Sequence, residues 1–129
     1  MNPYAAAKLA YTEASVLTAS PEHLVVMLYD GAIRFLHQSA AALRAGRRDT
    51  ARERLRRAQA VIDELSRSLD MSQGEIAVGL RAIYSFCSRH LIDSTLHADP
   101  AGYEKVAELL SGLRESWAEI EKSVEHVSA

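Results

Sequence analysis

Three prolines constrain this chain more than any other feature, because each directly follows a residue that favours a helix N-cap. Asn2-Pro3, Ser20-Pro21 and Asp99-Pro100 all read as N-cap followed by first helical residue. At that position the missing N–H costs no helical bond, and the ring presets a suitable φ. They mark a short N-terminal helix, the first long helix and the last long helix. Composition agrees: 21 Ala and 15 Leu dominate the apolar set of a 129-residue chain, and only six Gly accompany the three Pro. Strong helix formers with so little turn chemistry exclude a sandwich or barrel of many short strands. The chain reads as all-α.

The hydrophobic spacing divides the rest. From Pro21 to Arg44, one stripe carries Leu24, Leu28, Ala32, Phe35, Ser39 and Leu43. Val25, Tyr29, Ile33, Leu36 and Ala40 form a second stripe beside it. Gly46 is placed for a left-handed C′ residue. The next helix is expected to start near Asp49 or Thr50, where Thr50 and Glu53 have capping-box spacing. Its seam is Leu55, Ala58, Ile62, Leu65 and Leu69, followed by a break at Asp70–Gly74. Ile76, Leu80, Ile83, Cys87 and Leu91 form the third seam, with Tyr84, Phe86 and Ile92 beside it. Tyr103, Val106, Leu110, Leu113, Trp117, Ile120, Val124 and Val127 form the last. Short loops of about 4–6 residues force antiparallel neighbours. The expectation is one domain over residues 1–129: an antiparallel up-down-up-down four-helix bundle at 20–129 and a mobile segment with a short additional helix at 1–19.

Several functions are excluded or weakened. The apolar runs are interrupted by charge well before bilayer-spanning length, so no membrane insertion is expected. No basic region followed by an apolar run opens the chain, so no signal peptide is read. The single Cys87 forms no internal disulfide and suits a reducing cytosol. His90, Asp93 and His97 share a helical face at metal-ligand spacing, but no second ligand helix announces itself. Cys87 and His90 lie one turn apart, yet Cys87 falls on the apolar seam, where a buried core residue is the ordinary reading. No phosphate loop or nucleophile elbow is present. The chain reads as a binding protein with no enzyme activity, metal or other cofactor.

Charge offers an alternative. Seven arginines from Arg44 to Arg57 face only Asp49 and Glu53, a local net of +5, whereas residues 99–129 carry seven acids and three bases. Complementary helix faces explain this. A helical nucleic-acid-binding regulator using Arg44–Arg57 is the competing reading, although interleaved aromatics for base stacking are missing. Some apolar material also lies off the seams: Val26 and Met27 on the first long helix, and Tyr4 and Tyr11, seven residues apart, near the N-terminus. A short amphipathic segment of that kind either closes the core or occupies a groove that a partner helix also uses. Gly31, Gly79 and Gly112 sit mid-helix, where close approach of a neighbour within the bundle or of a ligand would account for them.

The stretch YTEASVLTASPEHLVVMLYDGAI, Tyr11 to Ile33, is more specific. It resembles the flagellin export chaperone family, FliS, at Tyr11, Val16, Thr18-Ala19-Ser20-Pro21 and Met27-Leu28-Tyr29-Asp30-Gly31. RAQAVIDELSRSLD (57–70), GEIAVGLRAIY (74–84) and LRESW (113–117) resemble later family signatures in order. His23 stands where the family commonly has Glu, and the Arg-rich stretch before Arg57 is not a family hallmark. The resemblance implies a cytosolic bundle that binds the C-terminal segment of newly made flagellin. It also implies that the bundle prevents premature polymerisation and delivers its client to the flagellar type III export apparatus. It further implies client contacts at Tyr11 and Val16 in a movable cover, and at Met27, Tyr29, Asp30 and Ile33. Leu80 and Tyr84 would form an opposite wall, with Ser20 and Pro21 serving as structural N-cap and first turn.

Overall fold

A computed structural model describes residues 7–8 and 11–128 of the chain. Among these residues all regular secondary structure is helical: α1 (Glu13–Thr18), α2 (Pro21–Arg44), α3 (Arg48–Arg67), a 3₁₀ turn (Met71–Gln73), α4 (Glu75–Leu96) and α5 (Pro100–Ser128). Tyr4, the Asn2-Pro3 start and the side chain of Val127 lie outside the described residues.

The cap signals at two of the prolines translate directly into geometry. Ser20 Oγ accepts the His23 N–H at 3.1 Å, with Pro21 as the first helical residue. Asp99 Oδ1 likewise accepts the Ala101 N–H at 3.1 Å ahead of Pro100. α2 ends in a Schellman turn, with Gly46 at φ 76°, Gly46 N–H on Leu43 O and Arg47 N–H on Ala42 O. The same turn closes α4 around Ala98, whose φ of 49° is unusual for a residue with a side chain.

Those turns correct two expectations. Because the chain reverses at once, the connections are only residues 45–47 and 97–99, while 68–74 is longer and holds the 3₁₀ turn. α3 therefore begins at Arg48 behind Arg47, with no side-chain cap, and the Thr50 capping box does not form.

The four long helices make a cyclic arrangement in which α2 packs closely on α3 and α5, and α4 closes the far side through much sparser contacts with those two. The core is built from the expected seams, including Leu24, Leu28, Leu36, Ile62, Leu91 and Leu110. Each such side chain contributes about 1.5–3 kcal/mol by leaving water. Ser39, the polar member of its stripe, donates to Ala51 O at 2.7 Å and so ties α2 to α3. Val26 and Met27, off-stripe by sequence, are buried, and Met27 joins Ala7 and Val16 in the core cluster. On α4 the inward residue is Ala77, and Ile76 points out, 74% exposed. Ile120 and Val124 are also exposed, on the stretch of α5 level with the first turn of α2, where His23 Nδ1 and Glu121 Oε1 lie 2.7 Å apart.

Candidate functional site

α4 carries more apolar surface than its packing consumes. Phe86 is 44% exposed, Ile92 61% and Leu96 78%, in addition to Ile76 and Val78. A helix held by sparse contacts on both flanks leaves a groove on each. The α3–α4 groove, about 480 Å³, has a floor of Leu55, Ala60, Leu91, Ile92 and Leu96, with Arg52 and Arg56 on its α3 edge. Asp63 also borders a separate, more polar hollow between the same helices, lined by Ile62, Ser66, Ser88 and Tyr84. The α4–α5 groove, about 430 Å³, is lined by Phe86, Val106, Leu109 and Gly112 between Lys105 and Glu108. Such apolar troughs between helices fit an amphipathic helix or an extended apolar segment.

Specific polar contacts hold the walls. Gln59 Nε2 donates to Ser88 Oγ at 2.7 Å between α3 and α4, and Thr95 Oγ1 pairs with Tyr103 Oη at 2.8 Å between α4 and α5. A buried network crosses the bundle diagonal: the Tyr29 and Tyr84 hydroxyls bond to each other, and Trp117 Nε1 donates to Tyr29 Oη at 3.2 Å. Burial raises the pKa of both tyrosines above the ordinary phenol value, and it pushes the Cys87 thiol up to about 11. These groups stay protonated at neutral pH, and Cys87 has none of the thiolate character a nucleophile needs.

The residues singled out by sequence fall into three places. Tyr11 and Val16 lie over the N-terminal half of α2: Tyr11 Oη donates to Met27 O at 3.1 Å, and the Arg34 guanidinium sits 5.3 Å from the Tyr11 ring centre. Val16 is fully buried there. Tyr29 is fully buried in the core, with Ile33 and Leu80 packed partly buried against that core, and Tyr84 is buried beside the polar hollow next to the α3–α4 groove. Asp30 faces α5, accepting from Arg114 Nε at 2.9 Å in a half-exposed pair.

Leu96, Leu109 and the groove-lining role of Ile92 escaped sequence reasoning. The signal was the Ile92–Leu96 pair, four residues apart and one position off the Cys87–Leu91 seam. Gly79 and Gly112 are not explained by bundle packing, since a Cβ at either meets nothing within 4 Å. His90 stacks on Phe86 at 5.7 Å, and His97 Nδ1 bonds to Asp93 O. Among the described residues, no three His, Cys, Asp or Glu side chains converge as a metal site requires. No helix among them is long and apolar enough to cross a membrane.

The arginine stretch is partly used within the chain. Arg44 pairs with Glu104 across to α5 at 2.8 Å, and Glu53 serves both Arg54 and Arg57. Hydrogen bonding to Glu104 raises the Arg44 pKa, and the same bond lowers that of Glu104.

Comparison with known proteins places this architecture. The profile of the family described as "Flagellar protein FliS" matches residues 2–124. A relative named "Flagellar secretion chaperone FliS" from Salmonella typhimurium is 36% identical over 110 residues, covering 84% of this chain and 82% of that protein. Its namesake from Bacillus subtilis is 30% identical over 116 residues, covering 90% and 84%. A third from Vibrio cholerae is 30% identical over 123 residues, covering 95% and 90%. With its helical bundle and a family match along nearly its whole length, this chain belongs to the FliS family of flagellar secretion chaperones.

Proposed function

We propose that this protein holds the C-terminal segment of newly made flagellin, keeps it from polymerising, and hands it to the flagellar type III export apparatus in the cytosol. The observation that carries the reading is α4: large exposed apolar side chains flanked by two grooves on an otherwise well-closed bundle. A flagellin terminus assembles by burying apolar helix faces against neighbouring subunits, so before assembly those faces are unpaired. Laying them along the α4 grooves hides them. The entropy of ordering the segment offsets part of that gain, which keeps the complex reversible.

The residues then divide by role. Leu80 and Tyr84 support the α4 wall, with Tyr29 fixing the Tyr84 hydroxyl from the core. Tyr11 and Val16 form a cover over Met27 that the client displaces or repacks, and Ile33 packs partly buried against the core. Asp30 steadies α2 against α5 through Arg114.

The test is a polymerisation assay with flagellin monomers of the same organism. An equimolar amount of the chaperone should suppress seeded filament growth. Unchanged growth at a several-fold excess of chaperone rejects the proposal.

A further inference from the structure

The α3–α4 groove is apolar along its floor and basic along one edge. Arg52 and Arg56 are one helical turn apart on α3, both exposed, and both line the groove beside Leu55, Ile92 and Leu96. Three other arginines of α3 already have partners: Arg54 and Arg57 share Glu53, and Arg67 lies beside Glu64. Arg52 and Arg56 have no ion-pair partner among the described residues. The carboxylate in the groove, Asp63, lies two turns from Arg56 and accepts from Gln59 Nε2 at 3.0 Å. The Arg52 end of the trough is therefore an apolar slot with two uncompensated cations on its rim.

From this, we infer that the α3–α4 groove takes an amphipathic helix of the client that carries carboxylates along the edge facing Arg52 and Arg56. The inference rests on the flagellin-binding reading and adds the chemistry of the segment seated in this groove. From Arg52 to Asp63 the α3 wall of the groove is about 17 Å long, room for roughly three helical turns. Apolar residues at three- and four-residue spacing fill the floor over Leu55, Leu91 and Ile92. Acidic residues on the same helix, toward the α3 side, meet the two guanidiniums in the forked geometry arginine offers a carboxylate. The apolar contacts hold the helix, and the charges set its direction and register along the slot. A client helix with a basic edge would meet like charge there.

The experiment measures affinity for full-length monomeric flagellin of the same organism at 0.1 M and 0.5 M NaCl. It compares the natural protein, the Arg52→Gln/Arg56→Gln double variant and Arg81→Gln, which removes one positive charge outside either groove lining. Two partly exposed ion pairs predict binding about 5-fold weaker for the double variant at 0.1 M salt. At 0.5 M that difference should shrink to within about 2-fold, because screening shortens the reach of both charges. Arg81→Gln should match the natural protein, and all three should melt within about 2 °C of one another.

Equal flagellin affinity of the double variant and the natural protein at 0.1 M overturns the inference and leaves flagellin binding standing. Absence of flagellin binding by the natural protein at either salt overturns both. A fourth arm uses a 30-nucleotide single strand and a duplex of the same length. Nucleic-acid binding that disappears in the double variant, with flagellin affinity unmoved, would reassign the two arginines and overturn the inference.

Discussion

Substituting Gly102 by alanine sets two opposing effects against each other. Gly102 lies in the first turn of α5, where replacing Gly by Ala in a helix ordinarily gains up to about 1 kcal/mol. Here a Cβ would fall 1.8 Å from Ser94 Oγ and 2.6 Å from Ser94 Cβ on α4. Ser94 Oγ cannot simply swing away without cost, because it donates to His90 O at 2.7 Å. Losing that bond costs about 1 kcal/mol. Even then the two Cβ atoms remain about 1 Å too close, so the helix ends must part, at about 1–3 kcal/mol for overpacking. The net expectation is a loss of about 1–3 kcal/mol, or about 4–11 °C in Tm for a chain of this size. Thermal and urea melts followed by circular dichroism measure it. Gly112→Ala is the control: nothing lies within 4 Å of its Cβ, so the same change should stabilise by up to about 1 kcal/mol. Ser94→Gly should relieve most of the Gly102→Ala penalty in the double variant, whereas Ser94→Ala, which keeps its Cβ, should not. If Gly102→Ala stabilises as much as Gly112→Ala, the close α4–α5 contact is wrong, and the account of α4's seating falls with it.

Three further perturbations have defined outcomes. Ala98→Gly should stabilise by about 1 kcal/mol in denaturant melts, since φ 49° burdens an alanine and not a glycine. Ser20→Ala removes the acceptor for the His23 N–H and should cost about 0.5–2 kcal/mol; an unchanged midpoint would mean the cap contributes nothing. Stability should fall as pH rises from about 9, because Cys87 is held near 11 in the folded chain and Tyr29 and Tyr84 are also raised. The unfolded chain releases those protons first, so the stabilisation is complete below the unfolded values and lost on passing through the folded ones. Cys87→Ala should flatten the part of that decline between pH 9 and 11.

What could be read from the sequence depended on how local the cause was. α2 runs from Pro21 to Arg44 as expected, because Ser20 and Gly46 each specify an end through atoms a few residues away. The start of α3 was misplaced for the same reason turned around. A local signal at Thr50 and Glu53 competed with a Schellman turn that had already sent the chain into a helix at Arg48. Periodicity found the helix face on α2, and on α5 as far as Trp117, but blurred on α4, where apolar residues occur all round. Only the packing reveals that Ala77 turns inward and Ile76 outward. The grooves were illegible because they depend on which pairs of helices stand apart. The Arg114–Asp30 and Arg44–Glu104 pairs, 84 and 60 residues apart in sequence, leave no local trace. Tyr29 illustrates the limit at the candidate site. The resemblance implied a client contact, and the folded chain seats its ring in the core, bonded to Tyr84 and Trp117.

Capture of the flagellin C-terminal segment is tested most directly by calorimetric titration of the chaperone with full-length flagellin and with flagellin lacking that segment. Saturable one-to-one binding of the full-length protein is expected, with a negative heat-capacity change from apolar burial and no detectable heat from the truncated protein. Equal affinity for the truncated flagellin would contradict such capture.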